Sequence, residues 1–348
     1  MWMDKKTATM KAAFVTSVGK VEIRDIPRPE PGKGQVLIRV RNAGICGSDL
    51  HLFLGTHAFR VLPAILGHEM AGEIAALGEG VEGWQLGEHV TVEPQLSCGT
   101  CAMCRQGRPN LCEKISVPGT PGWYGTFAEY FVAPVSCLYR MEKSLPFTSA
   151  VLTEPFAVAV HALRDAKPGP EDCCVILGAG TIGLLCLVAA GKIAGFSKVI
   201  CTDTAPFNRE LALRLGAAAA YDPLQENAEE EILRQTGGGA ALTVVAAGAK
   251  DILNQASRVT RKCGEIRLVA SLTRPIPYVA YDLAHKEQKL QGVWTYTSED
   301  FAVAAQQINH GLDLHALVTQ ILPLDETQRG LEMLRDKTED VAKILISL

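Results

Sequence analysis

The sequence has little net charge: 34 Lys and Arg against 38 Asp and Glu leave −4 over 348 residues. Without clustered cations there is no counterion-release term to hold the chain on nucleic acid or on an anionic membrane surface. Basic clusters such as Lys5-Lys6 are short. The opening Met1-Trp2-Met3-Asp4-Lys5-Lys6 lacks the apolar stretch, about 7 to 15 residues, of a secretory signal, so a cytoplasmic location is expected. No long repeat and no low-complexity linker interrupts the chain. One segment, Cys173 to Gly191, lacks charge altogether and approaches the length of a membrane span. Gly178, Gly180 and Gly183 inside it fit a strand, a tight turn and a helix instead, and no membrane segment is expected.

What the chain does have is a globular composition, 47% hydrophobic and 21% charged, and a length that implies two domains. The first 150 or so residues hold short β-like runs at Ala12 to Thr16, Val21 to Ile26, Val36 to Val40, His89 to Glu93 and Phe127 to Ala133, separated by Gly and Pro clusters. From about Glu171 the texture becomes alternating. Strands are expected at Cys173 to Leu177, Val199 to Thr202, Leu242 to Ala246 and Ile266 to Ala270. Helices are expected at Ile182 to Ala194, at Asn208 to Leu215 closed by Gly216, and near Ile252 to Thr260. Such alternation builds a doubly wound parallel sheet. Glu226 and Glu229 to Glu231 read as a solvated helix face.

Between the first of these strands and its helix stands Gly178-Ala-Gly180-Thr181-Ile182-Gly183. The first glycine permits the turn, the second lets a pyrophosphate approach the backbone, and the third allows close packing of helix on strand. The helix N-terminus adds N–H donors and a positive dipole end. Asp203 follows the next strand, where a carboxylate can accept hydrogen bonds from an adenosine ribose and repel a 2′-phosphate. NAD is therefore expected over NADP, with the neighbouring Arg209 as the one residue that argues the other way.

Four of the eleven cysteines fall at Cys98, Cys101, Cys104 and Cys112. Four thiolates on one compact loop can close a tetrahedron around zinc and leave no open position, which describes a structural site. A third signal is dispersed over Cys46-Gly-Ser48-Asp49-Leu-His51, Gly67-His68-Glu69 and Thr153-Glu154-Pro155. A catalytic zinc needs about three protein ligands and an open position, and one thiolate, one imidazole and one carboxylate would supply them. Individually, Cys46 or His68 is as readily a packed core residue.

Together these motifs resemble the zinc-containing medium-chain dehydrogenases over essentially the whole chain. The resemblance implies an α/β protein with a GroES-like, mostly β catalytic domain over residues 1–157, a Rossmann NAD-binding domain over 158–292, and a return to the catalytic domain over 293–348. It implies that Cys46 and His68 bind the catalytic zinc, that Glu69 can join or leave the metal, and that the four-cysteine loop is the structural zinc lobe. Glu154-Pro155, where liver-type enzymes place a second cysteine, is similar to the sorbitol, butanediol and threonine dehydrogenase branch, in which the carboxylate binds zinc directly or through water. Sorbitol enzymes of that branch carry Arg between two aromatics; the matching stretch here is Val293-Trp294-Thr295-Tyr296, which turns the expectation away from sorbitol itself.

The implied activity is NAD-linked oxidation of a secondary alcohol, a polyol, sugar alcohol or sugar-acid derivative, to a ketone. A threonine or vicinal diol dehydrogenase and a non-catalytic zinc-containing relative are the alternatives. By the same resemblance Ser48 takes the first proton and His51 passes it to solvent, with Glu69 or Glu154 able to serve through water, and Asp49 orients a metal ligand. A homo-oligomer, dimer or tetramer, is expected.

Overall fold

The computed structural model describes residues 8–57, 60–337 and 339–348, so the N-terminal Lys5-Lys6 lies outside the described residues. The chain forms two compact units, one of Met1–Glu154 with Phe301–Leu348 and one of Pro155–Asp300.

The first unit is mostly β. Its larger sheet runs in the order Val318–Pro323, Lys343–Ser347, Gln35–Gly44, Glu69–Leu77, His89–Val92 and Leu138–Arg140, with Tyr130–Pro134 also paired to Gln35–Gly44. A smaller sheet joins Lys20–Pro27, Thr9–Ser17 and Ala64–Ile65. Val36, Ile38 and Val40 alternate along one strand into a core that also takes Met70, Ile74, Phe127, Ile344 and Ile346. Burial on this face fixes register, since a one-residue slip would turn the apolar set to water. The register sets Gly44 against Glu69 on one side and against Leu345 on the other, so the chain's last strand closes beside the end of its third.

The second unit is a six-stranded parallel sheet in the order Ala219–Tyr221, Lys198–Thr202, Cys173–Leu177, Ala240–Val245, Thr260–Leu268 and Lys289–Gly292. The chain winds outward from Cys173–Leu177 and then returns to its other side. That reversal is the switch point at which open α/β sheets bind ligands. The uncharged Cys173 to Gly191 segment is a buried strand followed by the helix Thr181–Ala189, and no helix of the described residues is long and apolar enough to cross a membrane. The helix continues as a π-helical turn over Ala190–Ala194 and stops at Gly195, whose φ of 85° is left-handed.

Element ends shift by a few residues from the sequence expectation, and the second unit spans Pro155–Asp300 where 158–292 was expected; at one boundary the cause is visible. Thr260, read as the last residue of a helix, is extended and begins the strand Thr260–Leu268. Its hydroxyl donates to Ala256 O at 2.7 Å and meets Thr243 Oγ1 at 2.7 Å, so the residue caps the helix and enters the sheet at once. A second detail concerns the acidic helix face. Glu229 is committed to a two-pronged ion pair with Arg258, both contacts at 2.7 Å, which ties the helix Ala228–Gln235 to Ile252–Val259.

Within the second unit, fully buried Asp300 is the polar hub. Its Oδ2 lies 2.7 Å from His161 Nδ1 and accepts from Thr297 N and Oγ1, while Arg164 Nε sits 2.7 Å from Oδ1. Burial alone would raise this carboxyl, but the His161 and Thr297 donors outweigh it and hold it below its ordinary value. Asp300→Asn should lower stability in urea denaturation by about 2–3 kcal/mol, the loss for a buried pair discounted for the partial exposure of His161 and Arg164. Because the folded-state pKa is depressed, this contribution is complete above the unfolded carboxylate value near 3.8 and is lost as pH falls through the lower folded value. The gap between wild type and variant should therefore be full at neutral pH and close in acid; a gap that widens in acid would contradict the assignment.

Candidate active site and nucleotide turn

The strand Gln35–Gly44 ends at Gly44, and after Ile45 the chain turns at Cys46 into the helix Gly47–Phe53. Fully buried Asp49 fixes that turn. One carboxylate oxygen accepts from Cys46 N at 3.1 Å, and the other accepts from Gly67 N at 3.1 Å. Two segments far apart in sequence are thereby docked on one side chain. Gly67 itself has no room for a substituent: its φ is 88°, and a Cβ would lie 2.5 Å from Thr126 Oγ1.

Docking the two segments brings donor atoms of Cys46, His68 and Glu69 within 4.8 Å of one another. His68 Nδ1 is buried, has no hydrogen-bond partner among the described residues, and lies 3.8 Å from Asp49 Oδ1. Burial opposes charge on the ring, yet Cys46 and Asp49 overcome it and raise the imidazole well above its ordinary value. Such a site favours a bound positive charge. A thiolate, an imidazole and a carboxylate at this spacing are a donor set that suits zinc. Glu154 is buried in the first turn of the helix Thr153–Leu163 but stands outside that tight group.

Opposite Glu69 the structure places a residue that the sequence did not single out. Lys343, 3% exposed, donates from Nζ to Ile45 O at 3.0 Å and forms an ion pair with Glu69. The Glu69 end of this ion pair is Oε2, which is itself buried. Burial works against the ammonium, but Glu69, Cys46 and Glu154 together raise its pKa above the ordinary lysine value. Gly44 permits the meeting: a Cβ there would overlap Glu69 Oε2 and stand 3.0 Å from Lys343 Cε. Ser48 and His51 sit on the helix Gly47–Phe53, Ser48 half-buried and His51 exposed, with His51 Nδ1 3.3 Å from Thr56 Oγ1.

The four-cysteine loop closes as a second donor group. The sulfurs of Cys98, Cys101, Cys104 and Cys112 lie within 4.8 Å of one another, and none is in a disulfide. Backbone N–H groups point at them: Cys101 N at Cys98 Sγ, and Cys98 N and Lys114 N at Cys112 Sγ, all within 3.4 Å. The Thr100 backbone and hydroxyl, followed by Cys101 N, pull the Cys98 thiol down to about 6, while burial and the neighbouring sulfurs push Cys104 up to about 11. Four sulfurs without an acidic or histidine member fit a closed, structural zinc.

In the second unit the glycine turn is shaped by steric need. Gly178 has a φ of 99°, and a Cβ at Gly183 would lie 1.8 Å from Gly178 O, whereas a Cβ at Gly180 would meet nothing within 4 Å. Thr181 and Ile182 open the helix that Gly180 caps, so its first N–H groups lie at the glycine turn. Asp203 Oδ2 accepts from Ala179 N at 2.8 Å and Oδ1 from Ala205 N at 2.9 Å, so the carboxylate also braces the turn. Arg209 donates to Asp203 O and Thr204 O and lies 3.5 Å from Asp222, which occupies its guanidinium.

Comparison with known proteins agrees with this geometry. Residues 32–143 match the alcohol dehydrogenase GroES-like domain, and residues 181–310 match the zinc-binding dehydrogenase domain. The chain is 33% identical to a sorbitol dehydrogenase of Bacillus subtilis over 97% of each protein. It superposes on the 2R,3R-butanediol dehydrogenase of Bacillus subtilis with a TM-score of 0.89 at 31% identity, covering 97% of this chain and 99% of that one. An Escherichia coli alcohol dehydrogenase solved with NADH gives a TM-score of 0.90 at 28% identity, with 98% and 99% covered. Matched over nearly its whole length in both sequence and fold, the chain belongs to the zinc-dependent medium-chain alcohol and polyol dehydrogenase family.

Proposed function

We propose that the protein oxidises a secondary alcohol bearing a neighbouring hydroxyl to the ketone, with NAD as hydride acceptor. The observation that carries this is the Cys46, His68 and Glu69 donor group with a buried second carboxylate, Glu154, behind it. Sorbitol and butanediol dehydrogenases, both enzymes of vicinal hydroxyls, are among the relatives. Zinc held by these donors supplies Lewis acidity, which brings a substrate hydroxyl within reach of deprotonation near neutral pH.

The chain's own groups do the rest. The hydroxyl proton passes to Ser48 and leaves through His51, whose exposure gives it contact with bulk water. NAD, which the Gly178–Gly183 turn and Asp203 would hold, would supply the acceptor for the carbinol hydride. Asp49 keeps His68 and Cys46 in place through the two loops it ties. Lys343 balances Glu69, so that the carboxylates near the metal do not have to be charged alone in a buried site. Glu69 and Glu154 make the surroundings polar and reward a second hydroxyl on the substrate.

On the cofactor, the Gly178–Gly183 turn is the pyrophosphate cradle and Asp203 the ribose acceptor. Arg209 Nη1 is directed to the Asp203 and Thr204 carbonyls and to Asp222, which supports a role in bracing this loop rather than in receiving a 2′-phosphate. Steady-state assays should give NAD at least about a tenfold advantage in kcat/KM over NADP, about 1.4 kcal/mol, and Asp203→Ala should narrow it. Equal or better use of NADP by the unmodified protein would sink this assignment of Asp203. With zinc and NAD saturating, vicinal diols and polyols should show higher kcat/KM than ethanol. Ethanol or a long primary alcohol outperforming every diol and polyol would remove the substrate assignment.

A further inference from the structure

Arg60 lies between the helix Gly47–Phe53 and the strand Ala64–Ile65, is 8% exposed, and has both Nε and Nη1 buried with no hydrogen-bond partner among the described residues. Its nearest carboxylate is Asp49, at 3.9 Å from Nη1. Asp49 does not complete it: 3.9 Å is beyond hydrogen-bond distance, and the carboxylate is turned to Cys46 N and Gly67 N at 3.1 Å each. The contact is therefore charge at a distance, with the guanidinium's directed donors unspent. A buried cation left without directed partners costs several kcal/mol, and a planar fork of donors is suited to a carboxylate or phosphate bound through two oxygens.

The position of Arg60 ties it to the chemistry. Asp49 stands between the guanidinium, 3.9 Å away, and His68 Nδ1, 3.8 Å away, so the two nitrogens are at most about 8 Å apart. An anion on Arg60 would thus be within a short carbon chain of the metal-ligand group. His57 is held beside it: its Nδ1 accepts from Arg60 N at 3.1 Å. Burial and then the Arg60 charge hold His57 below its ordinary value, a sign of how positive this corner is.

We propose that Arg60, with His57 beside it, is an oxyanion subsite of the active site, and that the substrate is a small polyhydroxy compound carrying a terminal carboxylate or phosphate. This deepens the secondary-alcohol assignment above and rests on it. The guanidinium fixes the charged end, which leaves a hydroxyl farther along the chain to be oxidised.

The test compares sorbitol with gluconate and with sorbitol 6-phosphate, using the zinc-loaded full chain and NAD. At least one anionic substrate should exceed sorbitol tenfold or more in kcat/KM, and the better of the two identifies the oxyanion. Arg60→Gln should raise KM for that substrate tenfold or more with kcat within about twofold and with KM for sorbitol unchanged, and Arg60→Lys should restore part of the loss. In a second readout without turnover, the anion should raise the melting temperature of the wild type but not of Arg60→Gln, and sorbitol should not. Preference for sorbitol over both anions, with turnover intact, overturns the subsite alone. Equal loss of kcat on all three substrates with loss of zinc would make Arg60 a mere support of Asp49, which also overturns it. If no alcohol is oxidised and neither anion shifts the melting temperature, both the subsite and the dehydrogenase assignment fall; a shift without oxidation keeps the subsite and removes the assignment.

Discussion

A buried ammonium, that of Lys343, stands among the acidic side chains of the first unit's donor group. Cys46, Glu69 and Glu154 all act on its charge, and Glu69 pairs with it directly. Without a cation the desolvated carboxylates would take up protons or force the loops apart, since burying unpaired charge costs several kcal/mol per ion. The arrangement also needs an absence: only a residue without a Cβ at Gly44 lets Glu69 and Lys343 meet. The lysine comes from the chain's last strand, so this pairing ties the two ends of the sequence together within the first unit.

The second unit solves a different problem by steric means. It presents backbone N–H groups at the head of a helix, which requires a turn tight enough that a side chain at Gly178 or Gly183 would collide with its surroundings. Asp203 is used twice over, as a brace for Ala179 and Ala205 now and as an acceptor for a ribose in the proposed complex. Local charge thus does structural duty where it also selects a ligand.

The features legible in sequence are those whose physical cause is local. Cys98, Cys101, Cys104 and Cys112 close on one loop, and the three glycines of the turn lie within six positions, so spacing alone carries the geometry. The catalytic donors were visible only through family resemblance, because Asp49 brings Cys46 to His68 through hydrogen bonds that no periodicity announces. Lys343 and Arg60 were not visible at all. Lys343 reaches Ile45 across 298 positions, and its residue type in a strand otherwise reading Ile-Leu-Ile was the one available hint. Arg60 sits among irregular chain, where a buried guanidinium looks like a surface one until its neighbours are known. Thr260 shows the limit at boundaries: a β-branched residue that caps a helix through its hydroxyl and opens a strand satisfies both patterns.

The first unit carries two separate donor groups for a metal, one closed by four sulfurs and one built from Cys46, His68 and Glu69. Anomalous diffraction at the zinc edge, on crystals of the zinc-loaded protein, tests this directly. Two peaks are predicted, one within the four-cysteine loop and one among Cys46, His68 and Glu69. A single peak in the loop, with none beside His68 at saturating zinc, would contradict it.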